Sequence, residues 1–164
     1  MHRAFLAFPI VSVTVCAVMG LASSFDGFVG ADGFPAAWMG AIFALMTAAQ
    51  LVVVFVFIRS ERYLNNAFGN WGEGVDGATA AGLLLGALFE RDLRSINVAG
   101  SITIYGVILF LYSGDFGVTV PFSVVSLGAL LLVTPHKADW ESAFQMAKGR
   151  FPNLPNDPWQ PRLA

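Results

Sequence analysis

The side chains that could do chemistry in this sequence are concentrated in one polar stretch behind a long apolar run. Basic, acidic and amide groups occur there together: Arg59, Glu61, Arg62, Asn65, Asn66, Asn70 and Glu73. A carboxylate pair in such a place could serve a membrane enzyme that acts on a lipophilic substrate. No Ser–His, Cys–His or metal-ligand spacing accompanies these residues, so we predict surface ion pairing for Glu61 and Glu73 and no catalytic residue.

Cysteine and histidine point to no other chemistry. Cys16 is the only cysteine and lies inside an apolar run, which excludes an internal disulfide and a Cys-based zinc site. The two histidines, His2 and His136, flank the apolar runs, whereas haem in a membrane bundle is usually held by histidines on facing helices. We therefore predict no cofactor and no bound metal. The glycines and asparagines of residues 65–74 predict turns rather than a helix. They do not form a nucleotide-binding loop, because no strand precedes them and no phosphate-binding lysine follows.

The elements around this stretch are apolar. Of 164 residues, 56% are hydrophobic and 12% charged, whereas soluble domains carry about 25% charged residues. This predicts an all-α integral membrane protein surrounded by lipid, and the net charge of −2 gives no reason to expect a nucleic acid partner. A spanning helix needs about 20 apolar residues. We expect a four-helix transmembrane domain over residues 1–135 and a tail over 136–164, with spans at about residues 4–25, 34–58, 95–114 and 117–135.

The basic residues predict the orientation of these spans. With four spans, all nine Lys and Arg residues fall on one side, and cytoplasmic loops retain such residues. Both ends are then cytoplasmic, and we expect the bacterial inner membrane. A fifth apolar run, residues 77–89, would move Arg91, Arg94 and the basic tail outside if it crossed, so we predict a short, non-spanning segment. The first run could also be a signal peptide, but we expect a retained span.

Six residues are candidates for contact with a partner chain. Gly82 and Gly86 form a GxxxG pattern typical of close helix packing, although a short apolar helix covered by neighbouring protein explains them as well. Gln50 is the strongest polar group inside a span, and we expect it to hydrogen-bond a neighbouring helix. Trp140 and Phe144 share one face of a predicted helix over residues 138–148, which fits the membrane surface or a partner. Trp159 lies in the proline-rich tail, whose order would indicate a partner subunit.

Two stretches resemble a known family. The sequence Gly30-Ala-Asp-Gly-Phe-Pro35, with Gly40 in the following helix, resembles the start of the second span in the small membrane subunit of tripartite tricarboxylate transporters. Tyr105 and Gly114-Asp-Phe-Gly-Val-Thr119 are similar to that family's third-to-fourth helical hairpin. The similarity covers roughly residues 1–135; the polar helix and proline tail depart from it. It implies a small subunit beside a large transport subunit, with no catalytic residues.

Three functions fit these observations. The first is a small non-enzymatic membrane subunit that packs against a larger integral membrane partner, with solute uptake as its most specific version. The second is an accessory subunit of a respiratory or photosynthetic complex. The third is the membrane enzyme considered above.

Overall fold

The computed structural model describes residues 10–12, 14–18, 35–71 and 74–155, and within them the chain forms helices and no strands. The all-α class is confirmed for this part of the chain. Residues 10–12 and 14–18 are helical. Five further helices follow: α1 (Ala36–Val52, extended by a π-helical turn at Val53–Ile58), α2 (Glu61–Gly69), α3 (Gly77–Ser113), α4 (Thr119–Leu132) and α5 (Lys137–Arg150).

Two helices in the described ranges are long and apolar enough to cross a membrane, Trp38–Ile58 and Gly77–Ser113. A third span results if Phe116–Leu132 and α5, which meet at a bend of 51°, are counted together. These lengths support a membrane protein. The number of four spans and the orientation with both ends inside stay predictions, and the predicted first span lies mostly outside the described residues.

Helix α3 corrects the prediction of a separate short segment at residues 77–89. It is continuous for 37 residues, which corresponds to about 55 Å, nearly twice the ~30 Å of the hydrocarbon core. The charged residues expected to interrupt it are compatible with a helix, because Glu90 pairs with Arg94 one turn later. Asp76 caps its start by accepting a hydrogen bond from the Thr79 N–H at 2.7 Å, and Gly114, at φ 72°, ends it.

The second half of α3 packs against α4 and α1 to form a bundle. The buried side chains of this bundle include Val54, Ile96, Ala99, Leu130 and Val133. Helices α3 and α4 approach closely at Gly106, where a Cβ atom would lie 3.0 Å from the Cα and carbonyl oxygen of Thr119. The Thr119 hydroxyl donates to the Gly106 carbonyl at 3.2 Å, and the Ser126 hydroxyl donates to the Ala99 carbonyl at 2.8 Å. Small residues and hydroxyls thus make this interface, as is common between membrane helices.

The first half of α3 packs against α2 and α5 in a second unit, here called the platform. Leu64 and Phe68 of α2 lie one turn apart and are buried against Leu84 and Leu88 of α3. The prediction of turns over residues 65–74 is therefore wrong for residues 65–69, because burial of this apolar face favours a helix that local propensity does not.

The start of the tail also belongs to the platform. The Phe151 ring packs near Trp71, with ring centroids 5.3 Å apart, and Leu154 is buried. The Asn153 carbonyl oxygen lies so close to Gly77 that a Cβ atom there would clash with it. Contacts within the chain thus position residues 151–155. Residues 156–164, with Trp159, lie outside the described ranges.

Candidate functional site

Two arginines and two aspartates meet where the bundle adjoins the platform, and they are here called the charge cluster: Arg59, Arg91, Asp92 and Asp139. Asp92 is only 4% exposed. Its Oδ1 accepts hydrogen bonds from Arg91 Nε at 3.1 Å and Nη2 at 3.0 Å, and its Oδ2 accepts one from Trp140 Nε1 at 2.9 Å. This carboxylate therefore links the middle of α3 to α5.

Arg59 brings three helix ends together. Its Nη1 donates to the Val133 carbonyl at the end of α4 at 3.0 Å and lies 3.8 Å from Asp92 Oδ1. Its Nη2 donates to Asp139 Oδ2 at 2.8 Å. The preceding turn is widened, since the Arg59 N–H bonds to the Val54 carbonyl five residues earlier at 2.9 Å. Such π-helical turns are rare and often occur at functional positions; here the turn immediately precedes the residue that joins the helices.

The composition of the charge cluster indicates a structural link. Its two positive and two negative groups balance, and each is paired; Asp139 is 37% exposed, whereas the side chains of Arg91 and Asp92 are buried, and buried charges require such partners. A cleft of about 170 Å³ beside it is lined by Arg59, Arg91 and Asp139, among others. Among the described residues, no three His, Cys, Asp or Glu side chains come together as metal ligands. The arrangement can fix the platform on the bundle, and it presents no nucleophile with an adjacent base.

The polar residues singled out from the sequence do not converge on one site. Glu61 reaches the same cleft as Arg59. Arg62, Asn65, Asn66 and Asn70 are exposed on or just after α2, whose opposite face is buried, and Glu73 lies outside the described residues. The pairing of Glu61 with Glu73 therefore lies partly outside the described residues, and the membrane-enzyme alternative stays a prediction.

Gln50 makes the predicted hydrogen bonds to a neighbouring helix. Its Nε2 donates to Ser101 Oγ at 3.1 Å and to Tyr105 Oη at 2.9 Å, both on α3. The Tyr105 ring stacks on Phe43 of α1, with centroids 4.9 Å apart. The prediction is confirmed: Gln50 joins α1 to α3. Its role as a partner-contact candidate stays a prediction.

Replacing Gln50 by leucine is expected to lower the free energy of unfolding by about 0.6 kcal/mol, the average for hydrogen bonds between membrane helices. The matched control is Thr47→Val, one turn earlier, whose buried hydroxyl has no partner among the described residues. That change should be neutral or stabilising. Unfolding in mixed micelles of mild detergent and SDS measures the free energy of unfolding of both variants. An equal loss of stability in Gln50→Leu and Thr47→Val would contradict the role of Gln50 in joining α1 to α3.

Gly82 and Gly86 lie on an exposed face of α3. A Cβ atom at either position would meet no atom within 4 Å, so neither glycine packs closely against the described part of the chain. The side chains beside them are apolar and uncovered: Leu83 is 40% exposed and Phe89 56%. These four residues are here called the glycine face.

The aromatic candidates on α5 are largely used within the chain. Phe144 is buried in the platform, and the Trp140 indole N–H is bound by Asp92. Little of the Phe144 ring therefore remains for a partner.

Sequence reasoning missed Asp92 and the joining role of Arg59. The sequence pattern predicts a loop charge for Arg91, and for Arg59 a loop charge or a place in the polar stretch of a membrane enzyme, but no ion pair between helices for either residue. The available signal was the acid–base run Glu90-Arg91-Asp92 within a long apolar stretch, because buried charges of both signs in one helix require partners on other helices.

The described part of the chain is all-helical, and helices are the elements that satisfy their own backbone hydrogen bonds within a membrane. Comparison with protein-family models, with curated proteins and with solved structures found no match. The resemblance to the tricarboxylate transporter subunit stays a prediction, and function must be inferred from the residues and their geometry.

Proposed function

We propose that this chain is a small, non-enzymatic membrane subunit that binds a larger integral membrane partner through the glycine face. The observation that carries the proposal is the open surface over Gly82 and Gly86, bordered by exposed Leu83 and Phe89. Glycine inside a helix costs about 0.8–1 kcal/mol relative to alanine. Nothing in the described chain occupies the space above these glycines, so a partner helix that approaches closely is what they favour.

The bilayer is the second partner. Only 11% of the apolar span in α1 is buried within the chain, and large side chains such as Trp38, Leu45 and Phe57 are more than half exposed. Lipid or a neighbouring membrane protein must cover them. No Asp, Glu, Lys, Arg or His occurs in Ala36–Ile58, which argues against ion coupling through this helix.

In its most specific form, the partner is the large subunit of a carboxylate uptake transporter. Support comes from the resemblance of Gly30–Pro35 and Gly114–Thr119 to the small subunit of that family. Absorbance of haem, pigment or quinone in a purified complex would instead favour a respiratory or photosynthetic assembly.

Photocrosslinking in native membranes tests the surface directly. A benzoylphenylalanine at position 83 should crosslink to a larger integral membrane protein, because Leu83 borders the glycine face. The same group in place of Gln145, which is exposed on α5, is the matched control and should give no such product. Crosslinks from both positions, or a product at twice the mass of the chain, would contradict the proposal.

A bulky residue at Gly86 should block the partner while leaving the chain folded. We expect Gly86→Leu to reduce co-purification at least tenfold, equivalent to about 1.4 kcal/mol, because the side chain fills the space that a partner backbone would enter. Gly149→Leu is the matched control, since Gly149 is helical and equally open. The free energy of unfolding of both variants should lie within about 1 kcal/mol of the wild-type value. Undiminished co-purification with Gly86→Leu would disprove the proposed surface.

A further inference from the structure

The bend between α4 and α5 holds an apolar groove with two charges at its rim. The groove has a volume of about 420 Å³, and the described residues that line it are Pro135, His136, Lys137, Trp140 and Glu141. This volume suits a small molecule or a lipid headgroup with its first methylene groups. We infer that the groove binds the headgroup of a zwitterionic phospholipid.

The groove lies at a transition from apolar to charged surface along the chain. Leu131 and Leu132, in the last turn of α4, are 55% and 67% exposed, so an exposed apolar surface precedes the groove residue Pro135 along the chain. Beyond the 51° bend, α5 carries charged residues. A tryptophan at such a transition is typical of the membrane–water interface. A lipid whose chains cover Leu131 and Leu132 would place its headgroup beside Lys137.

The charges at the rim match a headgroup that carries both signs. Lys137 Nζ lies 3.2 Å from Glu141 Oε1, and their side chains are 89% and 55% exposed. An exposed pair of this kind contributes little stability, so both groups can turn to a ligand. The Lys137 ammonium would donate to the lipid phosphate, and the Glu141 carboxylate would face the headgroup cation. An anionic headgroup would satisfy Lys137 but meet repulsion from Glu141.

One wall of the groove is fixed before any lipid binds. The Trp140 indole N–H donates to Asp92 Oδ2 at 2.9 Å, which holds the ring in place from the charge cluster. Pro135 adds a rigid apolar surface. A preformed wall lowers the entropic cost of ordering a bound lipid. The site is distinct from the glycine face and does not depend on the partner proposed above.

Native mass spectrometry of the full chain tests the lipid class. The purified protein is equilibrated with equal amounts of phosphatidylethanolamine and phosphatidylglycerol of identical acyl chains, and in a second arm phosphatidylcholine replaces phosphatidylethanolamine. We expect each zwitterionic lipid to be retained at least fivefold over phosphatidylglycerol. Equal retention, or a preference for phosphatidylglycerol, would overturn the inference.

Charge reversal at the rim makes the test specific to the groove. Glu141→Lys should change the retained ratio at least tenfold in favour of phosphatidylglycerol, since both rim charges are then positive. Glu90→Lys is the matched control, because Glu90 forms the corresponding exposed pair with Arg94 on α3. Its ratio should remain that of the wild type. A Glu141→Lys ratio equal to the wild type, or the same change in both variants, would refute binding at this site.

Discussion

Replacing Asp92 by alanine is expected to lower the free energy of unfolding by about 3–5 kcal/mol, the cost of breaking a buried ion pair. Arg91 is 5% exposed, and its guanidinium would lose the carboxylate that accepts from both Nε and Nη2. The Trp140 indole N–H would lose its acceptor as well. The large effect arises because removal of one partner leaves the other charge desolvated and unpaired.

Unfolding in mixed micelles of mild detergent and SDS measures this loss. Asp92→Asn keeps the size and an acceptor for Trp140 while removing the charge, so it should fall between wild type and Asp92→Ala. Glu90→Ala is the control: Glu90 lies two residues before Asp92 and forms an exposed ion pair with Arg94, so its removal should lower the free energy of unfolding by at most about 0.5 kcal/mol. A loss below about 1 kcal/mol for Asp92→Ala would contradict the assigned role of the charge cluster.

Substitution of Gly106 by alanine is expected to destabilise the chain by about 1–3 kcal/mol, because it overpacks the interface of α3 and α4. The new methyl group would lie 3.0 Å from backbone atoms of Thr119 and 3.1 Å from the Phe122 Cβ. Backbone atoms cannot rotate away, so the two helices must separate. That movement would also lengthen the hydrogen bond from the Thr119 hydroxyl to the Gly106 carbonyl.

Gly100→Ala provides the matched control within the same helix. A Cβ atom at Gly100 meets no atom within 4 Å, so this change should be neutral or slightly stabilising. The same unfolding measurement compares the two variants. Equal stability of Gly106→Ala and Gly100→Ala would mean that α3 and α4 do not approach as closely as described.

The class of the protein was predictable because long apolar runs need no tertiary information to be recognised. The hydrogen bonds of Gln50 to α3 followed from the same logic, since a strong polar group in an apolar helix requires a partner. The platform was harder to predict. Asn65 and Asn66 favour turns locally, and only the burial of Leu64 and Phe68 against α3 makes the segment helical.

The continuity of α3 and the charge cluster could not be deduced from spacing alone. Charged residues near residue 90 resemble the end of a span, but the Glu90–Arg94 and Arg91–Asp92 pairs allow the helix to continue. Which arginine meets which aspartate depends on three helix ends that come together only in the folded chain. The widened turn before Arg59 has no signature in Val53–Ile58 beyond its apolar character.

The unbroken course of α3 has a mechanical consequence. One helix of about 55 Å carries both the Gly106 contact and the glycine face, so rotation of the helix at one of these positions displaces the other. A tilt of roughly 10° at one end displaces the other by about 10 Å over this length. A partner docked at Gly82 and Gly86 would thus sense a change in how the bundle sits in its membrane, without any signal passing through a flexible joint.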